Sequence, residues 1–184
     1  MGASNMPVYA MPRMSQFLRT NGPWDQLVNL GNIALQPIES DQQIELTQEF
    51  QVTPFKVPHR DEYSETVGYK ITGPTKSILF IPDINKWGAW ERNIIAEIEK
   101  VDMAFIDGTF YADGEIPGRD MSEIPHPFIQ ESVDLFHELS ATERSKIHFI
   151  HFNHTNPVFR QTPERKQLLA SGFQLAYEGQ IVPM

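Results

Sequence analysis

The sequence of 184 residues contains no cysteine, which excludes disulfides, thiolate metal sites and cysteine nucleophiles. It also lacks long hydrophobic runs: the longest, SILFIP and MAFI, fall far short of the roughly 20 apolar residues that cross a bilayer. The start, MGASNMPVYAMPRM, has no basic patch followed by an apolar segment, as a secretion signal would. These absences predict a cytoplasmic protein without a membrane segment.

Clustered basic residues are missing as well. The chain has 15 Lys and Arg against 24 Asp and Glu, a formal net charge of −9, and no basic run longer than two residues. A surface that binds nucleic acid stably needs clustered cations to neutralise phosphates. We therefore expect a small-molecule substrate rather than a nucleic-acid partner.

Apolar segments with strand character alternate with amphipathic segments of helical period. Unbroken apolar runs such as SILFI and MAFI are typical of strands covered on both faces, and TVGYKI alternates like a half-buried strand. Helices are predicted over 12–30 with a break at Gly22-Pro23, over 89–100, over 127–139, and after a Thr162 cap. QLAYEGQIV is predicted as a closing strand. The alternation predicts one α/β domain over residues 1–184.

Three apolar strands each end on a residue that can bind a metal: His59, Asp83 and His151. Imidazole and carboxylate are common ligands of zinc and iron, and ligands at strand ends are held in place by the sheet. Taken alone, His59 also fits a surface loop, and Asp83 also fits a turn.

The segment KIHFIHFNHTNPV contains three histidines at intervals of three residues. Side chains alternate between the faces of a strand, so His148 and His151 point to opposite sides and cannot share one metal. His148 is therefore predicted as a packing or solvated residue. His126 fits a helix start better than a proton donor, and His137 lies within a predicted amphipathic helix.

The order of these segments resembles the metallo-β-lactamase-fold hydrolases. HRDEYSETVGYKI is similar to the ribonuclease Z-type segment, in which a ligand histidine precedes a GYR or GYK strand. DGTFYADGE and HFNHTNP resemble segments of pyrroloquinoline quinone biosynthesis protein B, and MPVYAMPRMSQFLRTNGPWDQLV resembles the segment that follows that group's first metal motif. The resemblance extends over nearly the whole chain.

The resemblance implies an αββα sandwich with two divalent metal ions, zinc or iron, at the sheet edge. His59 would bind the first ion, Asp83 would bridge both, and His151 would bind the second. Asp107 and Thr109 would support these ligands by hydrogen bonds, although a simple Asp-Gly turn is an equal alternative. His154 would contact the ligands or the substrate.

The chain departs from this family in one respect: no HxHxDH spacing occurs anywhere in the sequence. We therefore expect the chain to correspond to the C-terminal two thirds of the family domain. With one terminal ligand per ion and a shared aspartate, metal binding and activity are expected to be weak or absent. An incomplete sheet would also favour homodimers through its exposed edge.

Three functions remain open on the sequence. The first is metal-dependent hydrolysis of an ester, phosphodiester or similar bond. The second is oxidative, iron-dependent chemistry related to pyrroloquinoline quinone biosynthesis. The third is a degenerate binding domain without catalysis. Loop composition does not identify the substrate.

Overall fold

Seven strands form one continuous sheet in the computed structural model, which describes residues 2–184. The strands of the chain are β1 (Met6–Ala10), β2 (Ile33–Pro37), β3 (Ile44–Glu45), β4 (Gln51–Lys56), β5 (Val67–Thr72), β6 (Ser77–Ile81), β7 (Met103–Asp107), β8 (Ile147–Ile150) and β9 (Gln174–Leu175). The order across the sheet follows the chain from β3 to β9, and β1 and β2 form a separate parallel pair.

The pairing of the strands changes from antiparallel to parallel at β6. β3 to β6 form an antiparallel meander, whereas β6 to β9 run parallel. Parallel neighbours need crossover connections, and here these carry the helices. The helices are α1 (Pro12–Thr20), α2 (Trp24–Asn29), α3 (Ile94–Glu99), α4 (Ile129–Leu135), α5 (Ala141–Ser145) and α6 (Pro163–Ala170).

The main core lies between the sheet and the crossover helices. Leu79, Ile106 and Phe149 from the central strands pack in one cluster with residues of α3, α4 and α6. Each is at most 1% exposed. Because burying one such side chain stabilises the fold by roughly 1.5–3 kcal/mol, the three parallel strands are firmly anchored. Residues that directly follow these strands are therefore held in place.

The opposite face of the sheet is apolar too. Ile71, Phe80, Phe105 and Ile150 line a cavity of about 230 Å³ there, and residues of the C-terminal segment contribute to its wall. None of the helices within residues 2–184 has the length and apolar character that crossing a membrane requires.

Helix boundaries differ from the predicted ones in two of the predicted helices. The break at Gly22-Pro23 separates α1 from α2, as predicted. The helix predicted over 89–100 begins only at Ile94, because the Asn93 side chain accepts hydrogen bonds from Ile95 and Ala96 N–H and caps it there. The helix predicted over 127–139 covers only Ile129–Leu135.

Local hydrogen bonds explain where α4 begins and where the closing strand ends. Pro127 lies outside α4, since Phe128 is extended at the cap position and its N–H donates to the Glu131 carboxylate. The predicted closing strand QLAYEGQIV is limited to Gln174–Leu175, where its pairing with β8 ends. Thr162 caps α6 as predicted, and Gly172 follows that helix with a φ of 94°.

Candidate metal centre

The carboxyl ends of β6, β7 and β8 bring three chemically active residues to one edge of the sheet. Asp83 follows β6, Asp107 closes β7, and His151 follows β8. In parallel sheets this edge is where ligands are usually bound. His59 arrives from the loop after β4, and His126 arrives from the long loop between β7 and α4.

His59 and Asp83 face each other directly. His59 Nε2 lies 3.1 Å from Asp83 Oδ2, and His59 Nδ1 lies 3.1 Å from Asn85 Oδ1. An amide oxygen can only accept a hydrogen bond, so the proton of the neutral imidazole resides on Nδ1. The Nε2 lone pair then meets a carboxylate oxygen, and these two acceptors need a shared cation or proton between them.

Asp107 is the buried centre of the hydrogen-bond network. Its side chain is fully buried, and Oδ1 accepts bonds from Thr109 N–H (2.8 Å) and Thr109 Oγ1 (2.7 Å). Oδ2 accepts bonds from Ile84 N–H (3.2 Å) and His126 Nδ1 (2.8 Å). Four donors thus saturate this carboxylate. Its role is to orient neighbouring residues, as carboxylates behind metal ligands do.

His126 lies between the two aspartates. Its Nδ1 donates to Asp107 Oδ2 and is also 3.3 Å from Asp83 Oδ1. Burial lowers the pKa of His126, but the hydrogen bond to Asp107 and the charges of both aspartates outweigh burial and raise this pKa above its usual value. With Nδ1 committed to Asp107, Nε2 is the ring nitrogen available to another partner.

His151 is oriented through Thr109. The Thr109 hydroxyl donates its hydrogen to Asp107, so its oxygen accepts from His151 Nδ1 at 3.0 Å. His151 itself has a φ of 66°, which is uncommon for a residue other than glycine. In their neutral forms, all three histidines therefore carry the proton on Nδ1 and have the lone pair on Nε2. That is the tautomer in which imidazole binds metals through Nε2.

Two groups of side chains in this cluster are spaced to hold a cation. His59, Asp83 and His126 form one group, and Asp83, Asp107 and His151 form the other, with ligand atoms within 4.8 Å of one another in each. Ligand atoms around a tetrahedral zinc are separated by roughly 3.3 Å, given bonds of about 2.0 Å. Asp83 Oδ1 is buried and has no hydrogen-bond partner among residues 2–184. These residues therefore fit a divalent metal ion.

The residues predicted from the sequence lie together in part. His59, Asp83 and His151 converge on one edge, and Asp107 and Thr109 make the supporting hydrogen bonds. Metal binding by these residues stays a prediction. His154 is exposed and forms no hydrogen bond within residues 2–184.

His126 was wrongly assigned to a helix start. Its ring is part of the cluster, and the following helix is capped two residues later, at Phe128. A histidine in a Gly- and Pro-rich loop shows no periodicity that would reveal this position. Its one sequence signal is that the loop starts from the strand that ends on Asp107. With His126 included, the first group has three ligand residues rather than two.

Asn156 fastens the loop that carries His151. Its buried side-chain amide donates to the carbonyl oxygens of Gly108 (2.8 Å) and Thr109 (3.2 Å). Gly108 is required because a Cβ at this position would lie 2.9 Å from the Cβ of Phe149. The loops after β7 and β8 are therefore locked together, which fixes the distance between Asp107 and His151.

The loop that carries His59 is held from the other side. The Glu65 carboxylate accepts from the backbone N–H groups of Arg13 (3.1 Å) and Met14 (3.3 Å) in the first turn of α1. The Arg13 guanidinium lies 3.1 Å from Asp61. These contacts attach α1 to the part of the loop that follows His59, so Asp61 and Glu65 have structural roles.

His148 lies on the other face of the sheet, as the alternation predicted. Its ring stacks on Phe105 with ring centroids 5.0 Å apart, and its buried Nδ1 has no hydrogen-bond partner in the part of the chain that the structure describes. Burial lowers the pKa of His148. Charging this residue therefore opposes folding.

Replacing His148 with phenylalanine should change how stability depends on pH. The pKa of His148 is lowered in the folded chain. At pH values between that lowered pKa and about 6.5, His148 is therefore protonated in the unfolded chain but neutral in the folded chain. Wild-type stability should thus fall as the pH drops below about 6.5. H148F should gain unfolding temperature over wild type at pH 5.5 but not at pH 7.5, in thermal melts by circular dichroism.

The control for this experiment is His137→Gln, because the His137 side chain is 70% exposed. The unfolding temperature of H137Q should change with pH by the same amount as that of wild type. A gain in H148F that is the same at both pH values would contradict the assignment, since it would reflect packing alone.

Comparison with known proteins supports the fold. Residues 1–152 match the family model described as the beta-lactamase superfamily domain. The structure superimposes on the crystal structure of zinc-bound PqqB from Methylobacterium extorquens with a TM-score of 0.74 and 23% identity, covering 98% of this chain and 63% of that one. Unliganded yeast PDE1 gives a TM-score of 0.58 at 11% identity, covering 95% and 59%. The predicted α/β fold of metallo-β-lactamase type is confirmed.

Sequence relatives point to the same group. Coenzyme PQQ synthesis protein B of Methylobacterium radiotolerans is 31% identical over 171 residues, which cover 81% of this chain and 55% of that protein. The protein of the same name from Rhizobium meliloti is 29% identical over 126 residues, which cover 64% and 40%. The chain thus spans about half the length of these relatives. The resemblance to pyrroloquinoline quinone biosynthesis protein B is confirmed.

Proposed function

The chain belongs to the beta-lactamase superfamily, and on that premise we propose that it contributes a metal-dependent catalytic centre that hydrolyses an ester, phosphodiester or similar bond. His59, Asp83 and His126 would hold one divalent ion. Asp83 and His151 would hold a second ion more weakly, because Asp107 is already saturated by four donors. The substrate would be a small molecule.

The contact between His59 and Asp83 carries this proposal. Two acceptor atoms 3.1 Å apart repel each other unless a cation or a proton lies between them, and in the neutral imidazole the hydrogen bond to Asn85 keeps the proton on Nδ1. Catalytic zinc sites commonly use three protein ligands and leave one position open, and two histidines with a carboxylate are one such set. This revises the earlier expectation of weak metal binding.

The residues around the ion would then have separate roles. When bound, the ion would supply Lewis acidity and lower the pKa of a water molecule. Asp107 holds His126 in the tautomer that leaves Nε2 free, and Thr109 does the same for His151. Asn156 keeps these loops at a fixed distance, so the ligands need little rearrangement.

An iron-dependent oxidative function is the second candidate. Two histidines and one carboxylate also form the set that non-haem iron(II) enzymes use, and the group His59, Asp83 and His126 has this composition. The sequence relatives are named for coenzyme PQQ synthesis, the pathway to which this candidate would belong. The same residues would hold the ion in either case.

The two candidates are separated by loading metal-free protein with zinc in air or with iron(II) under anaerobic conditions. Zinc-loaded protein should hydrolyse bis(4-nitrophenyl) phosphate or 4-nitrophenyl acetate at a rate that Asp83→Asn lowers at least 100-fold. Iron-dependent dioxygen consumption without hydrolysis would replace the first candidate by the second. Stoichiometric metal with neither activity would refute both and leave a metal-binding domain without catalysis.

A further inference from the structure

A cavity of about 590 Å³ opens beside the candidate metal centre. His151 forms part of its wall, and the remaining wall comes from the loop after β8, from α6 and from the segment after β9. The volume is within the range of cavities that bind small molecules. The metal centre and this cavity thus share a residue.

The walls of this cavity are mainly apolar and aromatic. Among the lining residues, Val158 is buried and Phe152 is half-buried, whereas Phe159 and Tyr177 are exposed. The Phe159 ring meets the Phe152 ring edge-on at 5.4 Å, yet Phe159 is 58% exposed and Tyr177 is 70% exposed. Exposed aromatic rings that flank an apolar cavity are suited to a flat apolar ligand.

Arg165 is the one cation that lines the cavity within residues 2–184. Its Nη1 donates to the carbonyl oxygen of Val158 at 2.7 Å, which fixes the side chain along the wall. No carboxylate among the described residues forms an ion pair with it, and Glu178, which also lines the cavity, lies beyond ion-pair distance. The guanidinium therefore keeps several donors for an anionic partner.

We propose that this cavity binds the substrate of the centre as an aromatic carboxylate, with the anionic group on Arg165 and the flat apolar body between Phe159 and Tyr177. The inference deepens the proposed function, since it takes the cavity as the substrate side of that site. A guanidinium and a carboxylate form short, charge-assisted bonds, frequently two in parallel. The chain is acidic overall, with a net charge of −9, so an anion would be bound by this local cation rather than by long-range attraction.

The test compares two probes of equal shape, 2-naphthoate and the neutral 2-naphthamide, by isothermal titration calorimetry on the full chain. Zinc-free protein is used first, because a carboxylate can also bind a metal directly. Wild type should bind naphthoate at least tenfold more tightly than naphthamide. Arg165→Gln should abolish this preference, Arg165→Lys should keep part of it, and Arg160→Gln should leave it unchanged, because Arg160 is exposed and outside the cavity wall.

A second variant tests the apolar wall. Phe159→Ser should weaken both probes severalfold, because it removes an exposed ring without touching the charge. Equal affinity of wild type for the two probes would overturn the proposal, and this comparison holds even when a variant fails to fold. Naphthoate binding that requires zinc and survives Arg165→Gln would also overturn it, by placing the anion on the metal.

The zinc content of the same samples separates this inference from the proposed function. Zinc binding that persists without any preference for naphthoate refutes the anion site alone. Naphthoate binding through Arg165 in a chain that binds no zinc refutes the metal-dependent function and leaves a site for aromatic anions.

Discussion

Replacing Asp83 with asparagine should lower the affinity for zinc at least 100-fold, or about 2.7 kcal/mol. Asp83 belongs to both groups of candidate ligands, and its buried Oδ1 has no hydrogen-bond partner among the described residues. The amide keeps the shape of the side chain but removes its negative charge, so the variant isolates the electrostatic contribution. The measurement is calorimetric titration of metal-free protein with zinc.

Without metal, the replacement of Asp83 by asparagine should not destabilise the chain, in contrast to its effect on zinc binding. In the absence of metal, Asp83 places a second carboxylate beside Asp107, and both lie near the His126 ring. Removing one charge should therefore leave the unfolding temperature of the metal-free chain unchanged or slightly raised. Zinc at 100 times its dissociation constant should stabilise wild type by about 2.7 kcal/mol, and D83N should lose this gain.

Asp113→Asn is the matched control, because Asp113 is an exposed aspartate in the loop after β7 and outside both groups of candidate ligands. Its zinc affinity should equal that of wild type. An equal loss in both variants would show that zinc responds to overall charge. Unchanged zinc binding in D83N would remove Asp83 from the metal centre.

Replacing Asp107 with asparagine should destabilise the chain by about 3 kcal/mol, since one partner of a buried hydrogen-bonded charge network is lost. Each oxygen of Asp107 accepts from two donors. An amide must present its NH₂ group to one of these pairs, where donors would face donors. The free energy of unfolding in urea measures this loss.

Asp102→Asn provides a comparison with the same change of atoms. Asp102 uses only Oδ2, which accepts from Ser77 N–H (2.7 Å) and Ser77 Oγ (2.9 Å), so an amide can keep its oxygen on both donors. D102N should therefore lose less than about 1 kcal/mol, as expected for an exposed site. Similar losses in D107N and D102N would contradict the central position of Asp107.

Zinc binding by D107N should weaken as well, because Asp107 orients His126 and, through Thr109, also His151. Loss of such a supporting carboxylate typically lowers metal affinity by about 10- to 100-fold. The effect should therefore be smaller than that of D83N. A larger effect than that of D83N would make Asp107 itself the principal ligand.

The convergence of Asp83, Asp107 and His151 could be predicted because each lies at the carboxyl end of a mostly apolar strand. Such strands are buried on both faces and run parallel, so their carboxyl ends meet at one edge of the sheet. The sequence pattern was therefore sufficient to predict that these three residues lie close together. It also separated His148 from His151, since the alternation of a strand fixes the face of each side chain.

His126 could not be predicted in the same way. Nineteen positions separate it from Asp107, and the loop between them folds back only through tertiary contacts. Phe110, Met121, Ile124 and Phe128 form a small apolar cluster of their own in this loop. Aromatic and aliphatic residues in a Gly- and Pro-rich segment have no regular period, so pattern analysis finds neither the cluster nor the histidine that it positions.

Helix lengths were overestimated for a related reason. Periodicity indicates which residues face the core, but the start of a helix depends on the residue that satisfies its first N–H groups. Asn93 does this for α3 and shortens the predicted helix at its beginning. The two-residue edge strand β9 likewise ends where its pairing with β8 ends, which the local sequence does not show.

Anomalous scattering at the zinc edge from crystals grown with zinc tests the central claim most directly. We expect a peak at bonding distance, about 2.0–2.2 Å, from a nitrogen of His59, a nitrogen of His126 and an oxygen of Asp83. A peak only at an exposed carboxylate such as Asp113, with none beside Asp83, would contradict it.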